Sequence, residues 1–263
     1  MKLEVAFLPS LLREPGRYVC VVVDVLRASS SLVVLLERGV EEVLLAGSIG
    51  EARRLARERP NYLLCGERGG LPPRGFQYGN SPVEFAGLEL AGRRAILCTS
   101  NGTRALARAA AAPLVLVGAL LNATAVGRAS AEAAGARGLG VAVVCSGDEG
   151  GTAFSLEDAL GAGAIVDAIV GLGRETPPRR APVRARLELS DAALAALTIY
   201  RAHQGQEQAA LRATSHARDL EALGLGEDLS FCARRDAFAV VPHLQRDEED
   251  RPVLRAYSSA SRG

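Results

Sequence analysis

Six short apolar runs rich in β-branched residues recur at 19–25, 43–46, 62–65, 94–98, 114–118 and 141–145. Most are continuous rather than alternating, the pattern of strands buried on both faces. Between them lie Ala- and Arg-rich segments with helical spacing, at 29–38, 49–58, 103–110 and 123–136. Strands alternating with helices predict an α/β fold, a three-layer α/β/α arrangement with a largely parallel or mixed central sheet. Gly39, Gly135 and Gly138 stand where helices should stop.

The chain reads as a single domain over 1–245, with two lobes dividing near 171–190 as a variant of that reading, and a charged, frayed tail over 246–263. The stretch GRETPPRRAPVRARLELS carries Pro177, Pro178 and Pro182 among its arginines. It reads as a connection, with an anion-contacting flap as the sharper alternative. Beyond it come a helix over 191–204, a short helix in SHARDLEALG and a strand pair around 231–233 and 237–241.

Composition narrows the chemistry mainly by exclusion. A net charge of +1 leaves no basic field for nucleic acid. There is no apolar run long enough to span a bilayer, and Pro9 and Glu14 interrupt any signal-like core, so the expectation is a cytoplasmic protein with no membrane partner. Lys2 is the only lysine, which removes Schiff-base and Walker-lysine chemistry from the body of the chain. The five cysteines form no C-x-x-C pair and read as buried thiols, while His203, His216 and His243 lack ligand spacing and read as structural or exposed.

Five central runs lead into polar, glycine-rich loops: DVLRASSS, GERGGLPP, TSNGTRAL, GALLNA and SGDEGGTAFSLED. Parallel strands would place these loops on one carboxyl edge, where open α/β sheets bind ligands. Asp24 follows VCVVV, with Arg27 close behind; a helix-start acid or buried ion pair is the structural reading, a metal ligand or nucleophile the functional one. Glu67 and Arg68 occupy the equivalent place in the second loop, amid glycines that let a ligand approach the backbone, or else form a solvated surface pair.

In TSNGT, Ser100, Asn101, Gly102 and Thr103 open a helix whose free amides suit a phosphate, although any capped helix looks similar. Glu157 and Asp158 in SLED suit a helix start, and they equally suit a divalent ion beside a phosphate. Taken together, Asp24, Glu67, Glu157 and Asp158 are candidate hard-oxygen ligands for Mg²⁺. Asp24, Arg27, Glu67 and Arg68 are candidate catalytic groups, and Ser100 to Thr103 with Asn122 are candidate phosphate contacts. The implied chemistry is metal-assisted phosphoryl transfer to water.

The pieces DVLRASSS, GERGG followed by GFQYGNSP, CTSNGT, GALLNA, FSLEDALGAG and DLSFCARRDAFAVVP occur in that order between Asp24 and Pro242. In this they resemble the 2-phosphosulfolactate phosphatase family. The resemblance implies a Mg²⁺-dependent phosphoric monoester hydrolase that converts 2-phosphosulfolactate, a small anionic substrate, to 3-sulfolactate and phosphate in coenzyme M biosynthesis. It also makes GERGGLPPRGFQYGNSP a wall of the site, with Glu67 toward the metal, Arg68 or Arg74 toward an acidic substrate group, and Asn80 fixing the loop. An exposed sheet edge and an apolar C-terminal strand point to a homodimer.

A haloacid-dehalogenase-type phosphatase also starts from an aspartate after an apolar strand, but it needs a second aspartate where this chain has Leu26. A phosphatase of another small phosphorylated hydroxy acid, and a non-catalytic phosphometabolite-binding protein, remain as alternatives at this point.

Overall fold

A computed structural model describes residues 1–175 and 187–258. Its strands are β1 Lys2–Ala6, β2 Tyr18–Val23, β3 Glu42–Ala46, β4 Tyr62–Gly66, β5 Arg94–Cys98, β6 Leu114–Gly118, β7 Gly140–Cys145, β8 Glu188–Leu189, β9 Pro242–Arg246 and β10 Pro252–Ala256. They form one ten-stranded mixed sheet in the order β4-β5-β3-β10-β9-β6-β2-β7-β1-β8. The helices are α1 Ala28–Glu37, α2 Ile49–Glu58, α3 Pro82–Ala86, α4 Gly102–Ala109, α5 Ala123–Arg137, α6 Leu156–Glu175, α7 Asp191–Ala202, α8 Glu207–Arg212, α9 Ser215–Ala222 and α10 Gly226–Cys232. None is long and apolar enough, among the described residues, to cross a membrane.

Strand periodicity decides which helix covers which face. Val19, Val21 and Val23 of β2 share a core cluster with Val126 of α5 and Leu160 and Ile165 of α6. Cys20 and Val22 point the other way, into a cluster with Leu32 and Val33 of α1 and Leu106 of α4. At the far end of the sheet, Ala52 and Leu55 of α2 pack on Leu44, Leu64 and Ile96. Helices on both faces explain why the strands read as continuous apolar runs. All five cysteines are buried free thiols.

The strand directions correct the expectation of a single carboxyl edge. β4, β5 and β3 are mutually parallel, as are β6, β2, β7, β1 and β8. The β9–β10 hairpin lies between the two groups, and β3–β10, β10–β9 and β9–β6 are all antiparallel steps. An odd number of reversals makes the groups run in opposite senses. Their loops still meet at one cavity, and Leu45 and Leu97 of one group share a core with Val22 and Val117 of the other. Helix α4, entered from β5, consequently packs against β2 and β7.

The C-terminal segment also differs from expectation. Residues 231–233 belong to α10 or follow it, 237–241 form no strand, and the strands that close the sheet are β9 and β10. Part of the segment that reads as a frayed tail is therefore internal, with Val253 and Leu254 fully buried. The charges that disguise it sit at the hairpin tip, where Asp247 Oδ1 accepts the Glu249 and Arg251 amides and Arg59 pairs with Glu249. Gly135 lies inside α5, and the left-handed cap is Gly138, with φ 65°. The connection over 176–186, together with its flap reading, lies outside the described residues.

Candidate active site

At the end of β2 the chain turns back on itself: the Asp24 amide donates to Ser29 Oγ at 2.8 Å, and the Ser29 amide donates to the Asp24 carbonyl at 2.9 Å. Asp24 Oδ1 then accepts the Ala28 amide at 3.1 Å, satisfying a first-turn donor of α1. The structural reading of Asp24 is thus correct for one oxygen, while Oδ2 is left at the cavity. Burial pushes the Asp24 carboxyl up to about 6; Glu67 adds to the rise, and the Ala28 amide, His216 and Ser146 oppose it.

The second loop reaches the same place through a close backbone approach. Gly66 has φ +150°, and a Cβ there would stand 2.3 Å from the Cys98 carbonyl oxygen, so only glycine lets β4 and the exit of β5 meet this tightly. Glu67 then accepts the Ser100 amide at 2.7 Å through Oε1 and the Gly70 amide at 3.1 Å through Oε2. It joins two loops. Arg68, by contrast, is exposed and absent from the cavity lining; its amide closes a turn onto Leu71. Arg74 is likewise outside the lining.

The third loop supplies the start of α4. Asn101 Oδ1 accepts the Gly150 amide at 2.9 Å, linking this loop to the one after β7. The Gly102 and Thr103 amides have no acceptor among the described residues. An alanine Cβ at Gly102 would lie 3.0 Å from Asp24 Oδ2, which shows how closely the start of α4 packs on the buried carboxylate. Thr103 turns its hydroxyl onto the Thr99 carbonyl.

The fourth loop does not join the site. Asn122 is fully buried, accepts the Ala119 amide at 2.9 Å and donates to the Val240 carbonyl at 2.9 Å. With its amide committed at both ends, it clamps a turn rather than contacting phosphate. The fifth loop does join, through Asp148 and Glu149, and α9 adds His216 and Asp219.

These groups line a cavity of about 420 Å³. An annex of about 10 Å³, room for a single water-sized species, lies between Asp24, Asp148, Glu157, Asp158 and His216. Glu157 is held above the usual carboxylate range by burial, against the favourable charge of His216. Asp158 is held well above it by burial and by the charges of Asp24 and Glu157. Its oxygens are nonetheless fully engaged, Oδ1 by the Val25 amide at 2.9 Å and Oδ2 by Ser146 at 3.1 Å and Gly147 at 3.0 Å.

Among the described residues, no three His, Cys, Asp or Glu side chains form a ready-made cation cage. The four-carboxylate set expected from sequence is unequal: both oxygens of Glu67 and of Asp158 accept hydrogen bonds of 3.1 Å or less, whereas Asp24 Oδ2 stands beside Gly102 and Glu157 lines the annex, which makes Asp24 and Glu157 the better placed pair. This fits Mg²⁺ in kind, since that ion is held by one or two carboxylates, its own waters and substrate phosphate rather than by a protein cage. Repulsion among buried acids is also relieved by a cation.

Besides Asp148, Glu149 and Asp219, sequence reasoning missed Asp228, which supports the wall from behind, and His216. Asp228, on α10, accepts Arg27 Nη1 at 2.8 Å, Ser81 Oγ at 2.6 Å and the Val83 amide at 3.3 Å. Arg27 Nη2 donates to the Gly70 carbonyl at 2.7 Å, so this guanidinium is 4% exposed and tied to both the second loop and α10. The available signal was an acid set into the apolar turn DLSFC, which needs a partner once buried. His216 carried no signal beyond its residue type; its place follows from how α9 docks.

A sequence profile described as 2-phosphosulpholactate phosphatase matches residues 7–247. The chain is 38% identical over 227 residues to a protein of Deinococcus radiodurans, covering 86% of this chain and 87% of that one. It is 38% identical over 226 residues to one of Symbiobacterium thermophilum, covering 85% and 90%. With one of Carboxydothermus hydrogenoformans it shares 35% over 247 residues, covering 93% and 94%. Each of these relatives bears the name "Probable 2-phosphosulfolactate phosphatase".

Proposed function

The chain belongs to the 2-phosphosulpholactate phosphatase family, and from that premise we propose that it hydrolyses 2-phosphosulfolactate to 3-sulfolactate and phosphate with Mg²⁺. The observation that carries the reading is that Asp24 Oδ2 stands beside Gly102 at the start of α4, a helix whose first amides are unpaired among the described residues. Those amides receive the phosphate oxygens, and the positive end of the helix favours their charge. Asp24 and Glu157 would hold the cation. When bound, it offsets charge on the transferring phosphoryl group.

The cavity otherwise opposes an anion, because Glu67, Asp148, Glu149 and Asp219 line it alongside Asp24. Arg27 adds donors but little net charge, being paired with Asp228. With Oδ1 fixed by the Ala28 amide, Oδ2 is the oxygen of Asp24 that would face the cation. Glu67 keeps the second and third loops in register through its two amide bonds. Placement in coenzyme M biosynthesis, a cytoplasmic site and a homodimer belong to the same proposal.

The deciding experiment measures phosphate release from racemic 2-phosphosulfolactate, phospholactate and phosphoglycerate, each with Mg²⁺ and with EDTA. The reading expects metal-dependent release and at least a tenfold preference in kcat/KM for the sulfonate, about 1.4 kcal/mol. Equal rates would discard the substrate and keep the phosphatase. No release from any ester would leave a binding protein.

A further inference from the structure

Asn80 is 3% exposed, yet its side chain has no hydrogen-bond partner at either end among the described residues; Oδ1 is sealed from solvent and unsatisfied. Buried amides are nearly always paired, so an unpaired one on a cavity wall needs a reason, and since an acid can satisfy only a donor, that reason concerns the unspent Nδ2 and not Oδ1. Looseness is not that reason. Ser31 Oγ donates to the Asn80 carbonyl at 3.1 Å, and the next residue, Ser81, donates to Asp228 at 2.6 Å. The same Asp228 holds Arg27, which brings the Arg27 guanidinium and Asn80 to one wall of the cavity.

That wall differs from the rest of the lining. The amides of α4 serve the phosphate, and Asp148, Glu149 and Asp219 repel acids. A guanidinium has five donors, and Arg27 commits one to Asp228 and one to Gly70. The substrate proposed above carries two further acidic groups besides its phosphate, a sulfonate and a carboxylate, and at least one of them needs donors. We infer that Asn80, beside Arg27, is the subsite for the acidic group that is not transferred, with Asn80 Nδ2 donating to a sulfonate or carboxylate oxygen. This inference rests on the phosphatase reading. Because Asp228 cancels the charge of Arg27, the wall selects by hydrogen-bond geometry more than by net charge.

The test compares the full-length protein with Asn80→Ala and Asn80→Asp on three esters: 2-phosphosulfolactate, phospholactate, which lacks the sulfonate, and O-phosphoisethionate, which lacks the carboxylate. Both variants are expected to raise KM for 2-phosphosulfolactate at least tenfold with kcat within about twofold, and Asn80→Asp more than Asn80→Ala. The penalty should vanish on one truncated ester, which identifies the acid that Asn80 reads. An equal penalty on all three esters, or none, would overturn the inference. Since the side chain makes no protein hydrogen bond, Asn80→Ala should melt with the parent, whereas Asn80→Asp buries a carboxylate and should melt lower near neutral pH. Calorimetric binding of sulfolactate, which carries both acids and no phosphate, separates the two readings. If the parent releases no phosphate from any ester, the phosphatase reading fails, and weaker sulfolactate binding by the variants still supports the subsite while equal binding overturns it.

Discussion

Replacing Asp24 with asparagine should stabilise the protein while removing its activity, and the size of the gain follows from the buried carboxylate. Burial raises its pKa from 3.8 to about 6, a shift of about 2 units or roughly 3 kcal/mol. A raised carboxylate favours the native state below its unfolded pKa. As pH climbs from 3.8 toward 6, native Asp24 holds a proton that the unfolded chain has lost, so stability falls; above 6 the full penalty is present. Asparagine keeps an oxygen for the Ala28 amide and carries no charge. For a chain of this length the unfolding entropy is about 0.55 kcal/mol per degree, so Asp24→Asn should melt about 5 °C higher at pH 8. At pH 4 most of that gain should disappear. Phosphate release should drop by at least about a hundredfold, and Mg²⁺ should raise the melting temperature of the parent more than that of the variant. Scanning calorimetry at the two pH values decides the matter: a variant that melts lower at pH 8, or gains equally at pH 4, would refute the burial argument.

Gly102→Ala places a methyl group 2.9 Å from Ala28 Cβ and 3.0 Å from Asp24 Oδ2; overpacking of this kind costs about 1–3 kcal/mol. Urea denaturation should show that loss, activity should fall further than stability does, and Ala28→Gly in the same chain should restore part of the stability by removing one of the two contacts. Asp228→Ala strands Arg27, whose side chain and that of Asp228 are each 2% exposed, and should cost about 3–5 kcal/mol in the same assay. Asp228→Asn, which keeps an acceptor for Ser81, should cost less.

The parts legible in the sequence are those set by local pattern. β2 and β6 announce themselves because both faces are covered, and the turn after Val23 because Asp24, Ser29 and Ser30 are short polar side chains suited to bonding nearby backbone. Strand direction across the sheet is not local. It depends on where the β9–β10 hairpin inserts, and this hairpin is masked by Arg246, Asp247, Glu248, Glu249, Asp250 and Arg251 at its tip. Similarly, Glu67 reads as a metal ligand and Asn101 as a phosphate contact, whereas much of their bonding holds loops to one another. Asn80 reads as a loop former, and its unpaired amide becomes visible only when the wall around it is assembled.

The β9–β10 hairpin also bears on how the protein is made. Among the described residues the two parallel groups of strands share no ladder of their own; β10 pairs with β3 and β9 with β6, so the hairpin joins the groups. During translation each group can pair within itself as soon as its strands emerge, but each must wait with one open edge until the hairpin leaves the ribosome. Contacts this distant in sequence form slowly, and unpaired edges invite pairing with other chains. The cavity draws on both groups, so a nascent chain short of residue 256 has its site residues synthesised without the hairpin that ladders the two groups into one sheet.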